Sequence, residues 1–376
     1  MQKNIIHKII GILTFTAFFL SGYSSANAQD IEFKYTFKPL VELTATSVKD
    51  QGRTGTCWSY STSSFLESEA ARISGHVVDI SEMTTIRYTY PLKAEMYLRF
   101  QGKQQFSAGS LCHDVINAAA GWGLAPQEAY TGLSDGEIVH NHAVMDEALL
   151  ATVEALVKKP SGKLDPNWKQ TISAILDSSI GELPETFDFN GVSYTPVSFR
   201  DYLGIDPSAY MNITSFSHHP FGTSFVLEVP DNFSRGFFYN VPIEDLRRAV
   251  ETAVVAGYSV AWDADVSEKG FSFKNGMALL PAEGEEDKLW TEQIQEAIVT
   301  QESRQKGFDN QTTTDDHLMH IVGLATDQFG EKYFVIKNSW GTNNLYGGRQ
   351  YISMAYFKAK TIAILVHRDA ITRVLR

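Results

Sequence analysis

Cysteine is nearly absent: the 376 residues contain two, Cys57 and Cys112. A chain this poor in cysteine is not held together by a disulfide framework. Basic runs are missing too. The formal net charge is −12, and an acidic surface without a basic stripe argues against nucleic acid and anionic lipid as partners. There is no internal repeat and no low-complexity linker. What remains is ordinary globular composition, 43% hydrophobic and 20% charged, with length enough for one large domain or two smaller ones.

The first 28 residues are a separate matter. Lys3 and Lys8 precede an apolar run from Ile9 to Leu20, then small polar residues and Ala26-Asn-Ala28. This reads as a secretory signal cleaved between Ala28 and Gln29. The run falls short of the about 20 apolar residues a membrane anchor needs. No cysteine follows it to carry a lipid, so the expectation is an exported chain, periplasmic or extracellular, with no membrane span after signal removal. Cleavage takes the net charge from −12 to −14.

The stretch that organises the rest is Gln51-Gly-Arg-Thr-Gly-Thr-Cys57-Trp58-Ser-Tyr60. Beyond Cys57 runs a segment with Trp58, Tyr60, Phe65, Leu66, Ala70 and Ala71 and no proline or glycine before Gly75, which predicts a buried helix opening near Cys57. A thiol there faces unpaired backbone N–H groups and the positive end of the helix dipole, so its pKa is expected to fall. Gln51, across the turn, offers a side-chain N–H to an oxyanion forming near the sulfur. The plainer alternative is a buried structural cysteine.

Gln51, Gly52, Gly55, Cys57 and Trp58 meet every fixed position of Gln-Gly-x-x-Gly-x-Cys-Trp, and the stretch thereby resembles the nucleophile segment of papain-like cysteine peptidases. In the secreted papain branch a disulfide-forming cysteine stands three residues before the nucleophile; here that residue is Thr54. Cys112 is then left as a free, buried thiol. Between Gln29 and Cys57 there is no room for the long inhibitory propeptide of many such enzymes, so the chain is expected to be made active.

Taken in order, residues 29–50 read as a strand leading to the turn. Asp79-Ile-Ser81-Glu82 reads as a helix cap, and Gly109-Ser110 introduces a helix from about Leu111 to Ala120. The family's Gly-Gly pair at that point lies along the substrate backbone, which makes Gly109, Ser110 and Trp58 the substrate-binding candidates by resemblance. Helical patterns follow at Met145–Lys158, Trp168–Ile180 and about Ile243–Ala256, the last preceded by Pro242. Tyr194–Phe199, Phe225–Val229 and Ser259–Asp263 read as strands, and Asn275–Asp316 as a polar surface excursion. Segments such as Phe187-Asp-Phe-Asn-Gly, Thr195–Tyr202, Asn240–Leu246 and Val260–Val266 resemble the bleomycin hydrolase and bacterial aminopeptidase C branch, which inserts such material, here about 131–300, between nucleophile and histidine.

A cysteine nucleophile needs an imidazole. Asp316-His317-Leu-Met-His320-Ile-Val-Gly323 offers two, and residues three apart on a strand face opposite ways. The family pattern His-x-x-x-x-Val-Gly selects His317 and leaves His320 as a packed core histidine. Asn338-Ser339-Trp340-Gly341 matches the family's Asn-Ser-Trp-Gly, 21 residues after His317; Asn338 would orient the imidazole and Trp340 shield that bond. His140, His142, His218 and His219 read as surface histidines, because no Cys, Asp or Glu spacing completes a metal site.

The resemblance implies an α+β papain-like fold, a helical half carrying Cys57 and a β-rich half carrying His317 and Asn338, with residues 29–376 as the peptidase domain. It implies a cysteine peptidase acting on peptides with catalytic Cys57, His317, Asn338 and Gln51, without metal or cofactor, and first of all an aminopeptidase. The family's C-terminal arm, which lies in the cleft, has no counterpart after Ile364–Asp369. An open-cleft endopeptidase or dipeptidase is therefore the alternative, then a catalytically silent binding module. A homo-oligomer is a further implication of the branch.

Overall fold

The computed structural model describes residues 34–372 apart from 135, 160 and 161. The expected signal and its cleavage site lie outside the described residues. From Lys34 onward the chain forms a single unit, built of a helical half and a sheet half.

The helix Cys57–Ser74 lies at the centre, and its first 14 residues are all buried. A helix enclosed on every side usually carries apolar side chains; this one carries serines. Their short hydroxyls let neighbouring backbone come close, and most find acceptors there. Ser59 donates to the Glu82 carbonyl at 2.8 Å, Ser61 to Met319 at 2.7 Å and Ser68 to Thr44 at 2.7 Å. Gly75 ends the helix in the left-handed conformation, φ 74°, which glycine adopts without a Cβ penalty. Against it pack the helices Glu82–Arg99 and Cys112–Gly121, and Ala143–Lys158 and Trp168–Ile180 pack in turn on the first of these. Ser81 caps that same helix, accepting from the Thr84 N–H.

The sheet half is an 11-stranded mixed sheet. Its order runs Ser224–Val226, Phe237–Asn240, Tyr210–Thr214, Thr361–His367, Val260–Ala264, His317–Asp327, Lys332–Lys337, Arg349–Ser353, Met277–Ala278 and Phe271–Ser272. The strand Phe37–Glu42 pairs with the far end of His317–Asp327, Glu42 opposite Gly323. Strand Val260–Ala264 pairs with the near end, Ala264 opposite His317. The strand His317–Asp327 is thus flanked by partners along its length, and ten of its eleven residues are buried. The helix Ile243–Val255 covers the outer face, burying Ile243, Leu246, Ala249, Val250, Ala253 and Val254 at helical spacing while Arg247 and Glu251 pair outside.

Three sequence expectations are corrected. Tyr194–Phe199 is not a strand: only Val192–Tyr194 is extended, and Pro196–Tyr202 is a helix. Thr195 caps it through Ser198 and Pro196 sits in its first turn, the cap chemistry outweighing the alternation of side chains. At Phe225–Val229 the strand stops at Val226, because the Leu227 carbonyl accepts from Asn232 Nδ2 at 2.9 Å instead of a ladder partner. Asn275–Asp316 is more than a surface excursion. It supplies the strand Met277–Ala278 and the helix Gln301–Asp309, whose Arg304 is fully buried and donates to the Ser215 and Lys358 carbonyls at 2.7 and 3.0 Å.

Candidate active site

Cys57 opens its helix. Thr56 stands at the cap position without using its side chain, which meets the Thr54 hydroxyl at 2.6 Å. The Ser59 N–H turns back to the Thr56 carbonyl at 3.0 Å, and those of Cys57 and Trp58 keep their donor capacity. The helix is bound to the central strand by Ser61 and by Ser64, whose hydroxyl meets His320 Nδ1 at 2.9 Å. That contact brings the start of the strand to the sulfur, and the Leu318 N–H is directed at the Cys57 thiol.

His317 is buried, and its Nε2 meets Asn338 Oδ1 at 2.8 Å. Asn338 Oδ1 also accepts from the Ser339 N–H at 2.7 Å, while its Nδ2 donates to Gln350 Oε1 at 2.7 Å. Both ends of the amide are thereby fixed, the oxygen pointing at the imidazole. Trp340 stacks on the His317 ring, 4.4 Å between centroids at 29°. His320 is fully buried on the opposite side of the strand, against Ser64 and Phe65.

Gln51 is pinned to the same Asn338–Gly341 corner. Its N–H donates to the Ser339 carbonyl at 2.9 Å and its Oε1 accepts from Ser339 Oγ at 2.7 Å. Its Nε2 donates to the Thr54 carbonyl at 2.8 Å. An amide nitrogen carries two donors, so one remains for a ligand. Ser339 and Gln350 were missed from sequence. Ser339 lies inside a motif whose other letters drew attention, and Gln350 carries no local signal.

The substrate-side candidates divide. Gly109 sits against the Asp231 carboxyl, leaving no room for a Cβ. Ser110 is fully buried and its hydroxyl donates to Asp114 at 2.6 Å, so its side chain serves the helix Cys112–Gly121. Trp58 is also fully buried; its Nε1 donates to the Ala108 carbonyl at 3.0 Å, so it supports the segment carrying Gly109 from beneath. Cys112 is a buried free thiol.

Other histidines depart from expectation. His140 and His142 are buried, their rings edge to face at 5.7 Å. His218 and His219 both meet Glu228, at 3.1 and 2.7 Å, and the three offer ligand atoms within 4.8 Å of one another. Glu228 thus completes a group able to hold a cation, which spacing alone had not indicated. The imidazole–carboxylate bonds account for the cluster without one.

The expected low thiol pKa is overturned. Burial pushes the Cys57 thiol up to about 12; the Leu318 N–H acts the other way, and Asp315, Asp263 and Asp231 add to the rise. Burial holds His317 down at about 4, against the opposing effect of Asn338. Desolvation outweighs the helix dipole, and the closed site favours neutral thiol and neutral imidazole. Alkylation of Cys57 by iodoacetamide is therefore expected to climb about tenfold per pH unit from pH 6 to 9. A rate already level from pH 5 would show a preformed thiolate–imidazolium pair instead.

A helical half and a sheet half meeting at a cysteine, a histidine and an asparagine define the papain-like fold. The chain belongs to the Peptidase C1-like family, whose model matches residues 168–376. It is similar to aminopeptidase G of Lactobacillus delbrueckii subsp. lactis, 25% identical over 209 residues, 52% of this chain and 46% of that protein. It is also similar to aminopeptidase W of the same organism, 23% identical over 286 residues, 69% and 63% of the two chains. The chain thus spans about half to under two thirds of the length of these relatives. The crystal structure of PepW from Lactobacillus rhamnosis shares the fold, with a TM-score of 0.70 at 15% identity, covering 90% of this chain and 83% of that one.

Proposed function

We propose that this chain is an exported cysteine peptidase that removes residues from the N-termini of peptides. The observation that carries the chemistry is the His317–Asn338 bond beneath Trp340, on the strand whose next N–H, that of Leu318, points at the Cys57 sulfur. His317 takes the thiol proton as sulfur attacks the substrate carbonyl carbon. The oxyanion accepts from Gln51 Nε2 and the Cys57 N–H. Collapse breaks the C–N bond and the amine leaves with the proton from His317. Water, deprotonated by the same imidazole, then hydrolyses the thioester. Because the proton moves to the imidazole as sulfur attacks, the negative charge develops on the oxyanion, where Gln51 Nε2 and the Cys57 N–H meet it, and no thiolate–imidazolium pair has to form beforehand.

The N-terminal preference is supported by the two aminopeptidase relatives. It is tested by mapping products from one unblocked peptide and its N-acetylated twin, with Cys57→Ala as control. Stepwise loss of N-terminal residues from the free peptide alone is expected. Internal cuts in both peptides would mean an endopeptidase. Absence of Cys57-dependent cleavage in either would leave a binding module.

A further inference from the structure

Three carboxyls converge on the nucleophile, and the mechanism above uses none of them. Asp263 lies on Val260–Ala264, opposite Leu318 on one side and Ala363 on the other. Trp262 and Ala264 point into the core of the sheet half, whereas Ala261, Leu318 and Ala363 pack with Cys57 and Cys112. Alternation therefore aims Asp263 at the cysteine side. Asp263 is 2% exposed, and apart from Asp315 no N–H or O–H donor among the described residues reaches either of its oxygens. Asp315, two residues before His317, faces it within hydrogen-bonding reach, and Asp315 Oδ2 has no donor either. From the other side Asp231, held by Gln105 Nε2 at 2.9 Å and Ser107 Oγ at 3.0 Å, lies on Gly109.

Among the described residues no cation answers the charge of the Asp263–Asp315 pair, and only Lys93 feels Asp231. The strongest charged neighbours of Asp263 are themselves carboxyls, Asp315, Asp231 and Asp316. Lys93 is spent beneath the loop on the Ser107 carbonyl, 2.6 Å away, and on that of Gly109. Buried carboxyls without donors or a counter-charge are costly, and a fold keeps them where a ligand supplies what is missing.

We propose that Asp231, Asp263 and Asp315 form a cation subsite beside Cys57 that takes an alkylammonium or guanidinium group of the substrate. The inference rests on the peptidase reading and deepens it. A free α-amino terminus and a basic side chain share this chemistry. Either would place one cation between Asp231 above Gly109 and the Asp263–Asp315 pair, supplying the donors the pair lacks.

The test compares kcat/KM of the full chain on four fluorogenic amides: alanyl, acetyl-alanyl, acetyl-leucyl-alanyl and acetyl-arginyl-alanyl. Asp263→Asn, Asp315→Asn and the half-buried Asp231→Asn are measured beside it. Loss of one charge-assisted hydrogen bond is expected to cut the advantage of the cationic substrate by roughly 10–100-fold, chiefly in KM, while the neutral acetylated substrates are cleaved as before. A preference for the alanyl amide assigns the subsite to the α-amino group; a preference for the arginyl substrate assigns it to a side chain. A cation-to-neutral ratio unmoved by all three variants overturns the subsite and leaves the peptidase intact. If no substrate is turned over, calorimetric binding of an alanyl dipeptide and its acetylated twin to the Cys57→Ala protein decides separately. Tighter binding of the free amine, lost in Asp231→Asn, upholds the subsite without the peptidase, and equal binding overturns it.

Discussion

Cys57→Ala is expected to lower kcat for peptide hydrolysis by roughly 10⁶, the scale of losing the nucleophile from a triad that acts as a unit. Cys112→Ala is expected to leave it within about twofold, because that thiol is buried and serves only packing. The pair of variants separates the two cysteines of the chain with one assay. Asn338→Ala should cost less than the roughly 10⁴ of a charged orienter. A neutral amide fixes the ring of His317 without stabilising its charge, and Trp340 continues to hold the ring by stacking. Cys57→Ala should melt near the parent temperature, since Cys57 sits at a helix start where alanine is well tolerated, whereas Asn338→Ala should melt lower, because the Ser339 N–H and Gln350 Oε1 lose a buried partner. Full activity in Cys57→Ala, measured as released amine, would remove the thiol from the chemistry.

The catalytic positions were legible because each carries a local signal. Cys57 is a helix start after a glycine turn, and Asn338-Ser-Trp-Gly closes a strand whose partner begins at His317. Their consequences were not legible. The electrostatics at Cys57 were misjudged because dipole and N–H donors are local and readable, whereas burial depends on the folded surroundings and the fields of Asp231, Asp263 and Asp315 come from chain positions 174 or more residues away. Tyr194–Phe199 failed for the converse reason. A cap of two residues, Thr195 and Pro196, decided the backbone while six residues of alternation suggested otherwise. Ser110 and Trp58 were carried over as substrate contacts from a motif that records position but not which way a side chain turns.

Lys49→Met is expected to destabilise the protein by about 3–5 kcal/mol, the cost of stripping one partner from buried ions. The Lys49 ammonium lies 2.6 Å from Glu82 Oε1 and 3.9 Å from Glu67 Oε1, and it also pairs with Asp79. Glu67 and Glu82 are 1% and 2% exposed, so solvent does not replace the lost charge. Lys337 reaches Glu67 only at 3.9 Å and donates to Thr46 at 2.8 Å. The network ties together the segment ending at Gln51, the helix begun by Cys57 and the strand that ends at Lys337 just before Asn338, so the same variant should loosen the site and lower kcat as well. Urea unfolding should show a lower midpoint with an unchanged slope. Burial already raises Glu82 to about 7, with Lys49 opposing the rise and Glu67 adding to it. Removing Lys49 raises it further. A carboxyl whose folded pKa lies above its unfolded value favours folding below the unfolded pKa and loses that contribution as pH rises through the folded one. The deficit of Lys49→Met should therefore be smaller at pH 5 than at pH 8, and adding Glu82→Gln should recover part of it at pH 8, the two changes being coupled. A deficit that is equal at both pH values would mean that the lysine acts through its methylene packing rather than its charge.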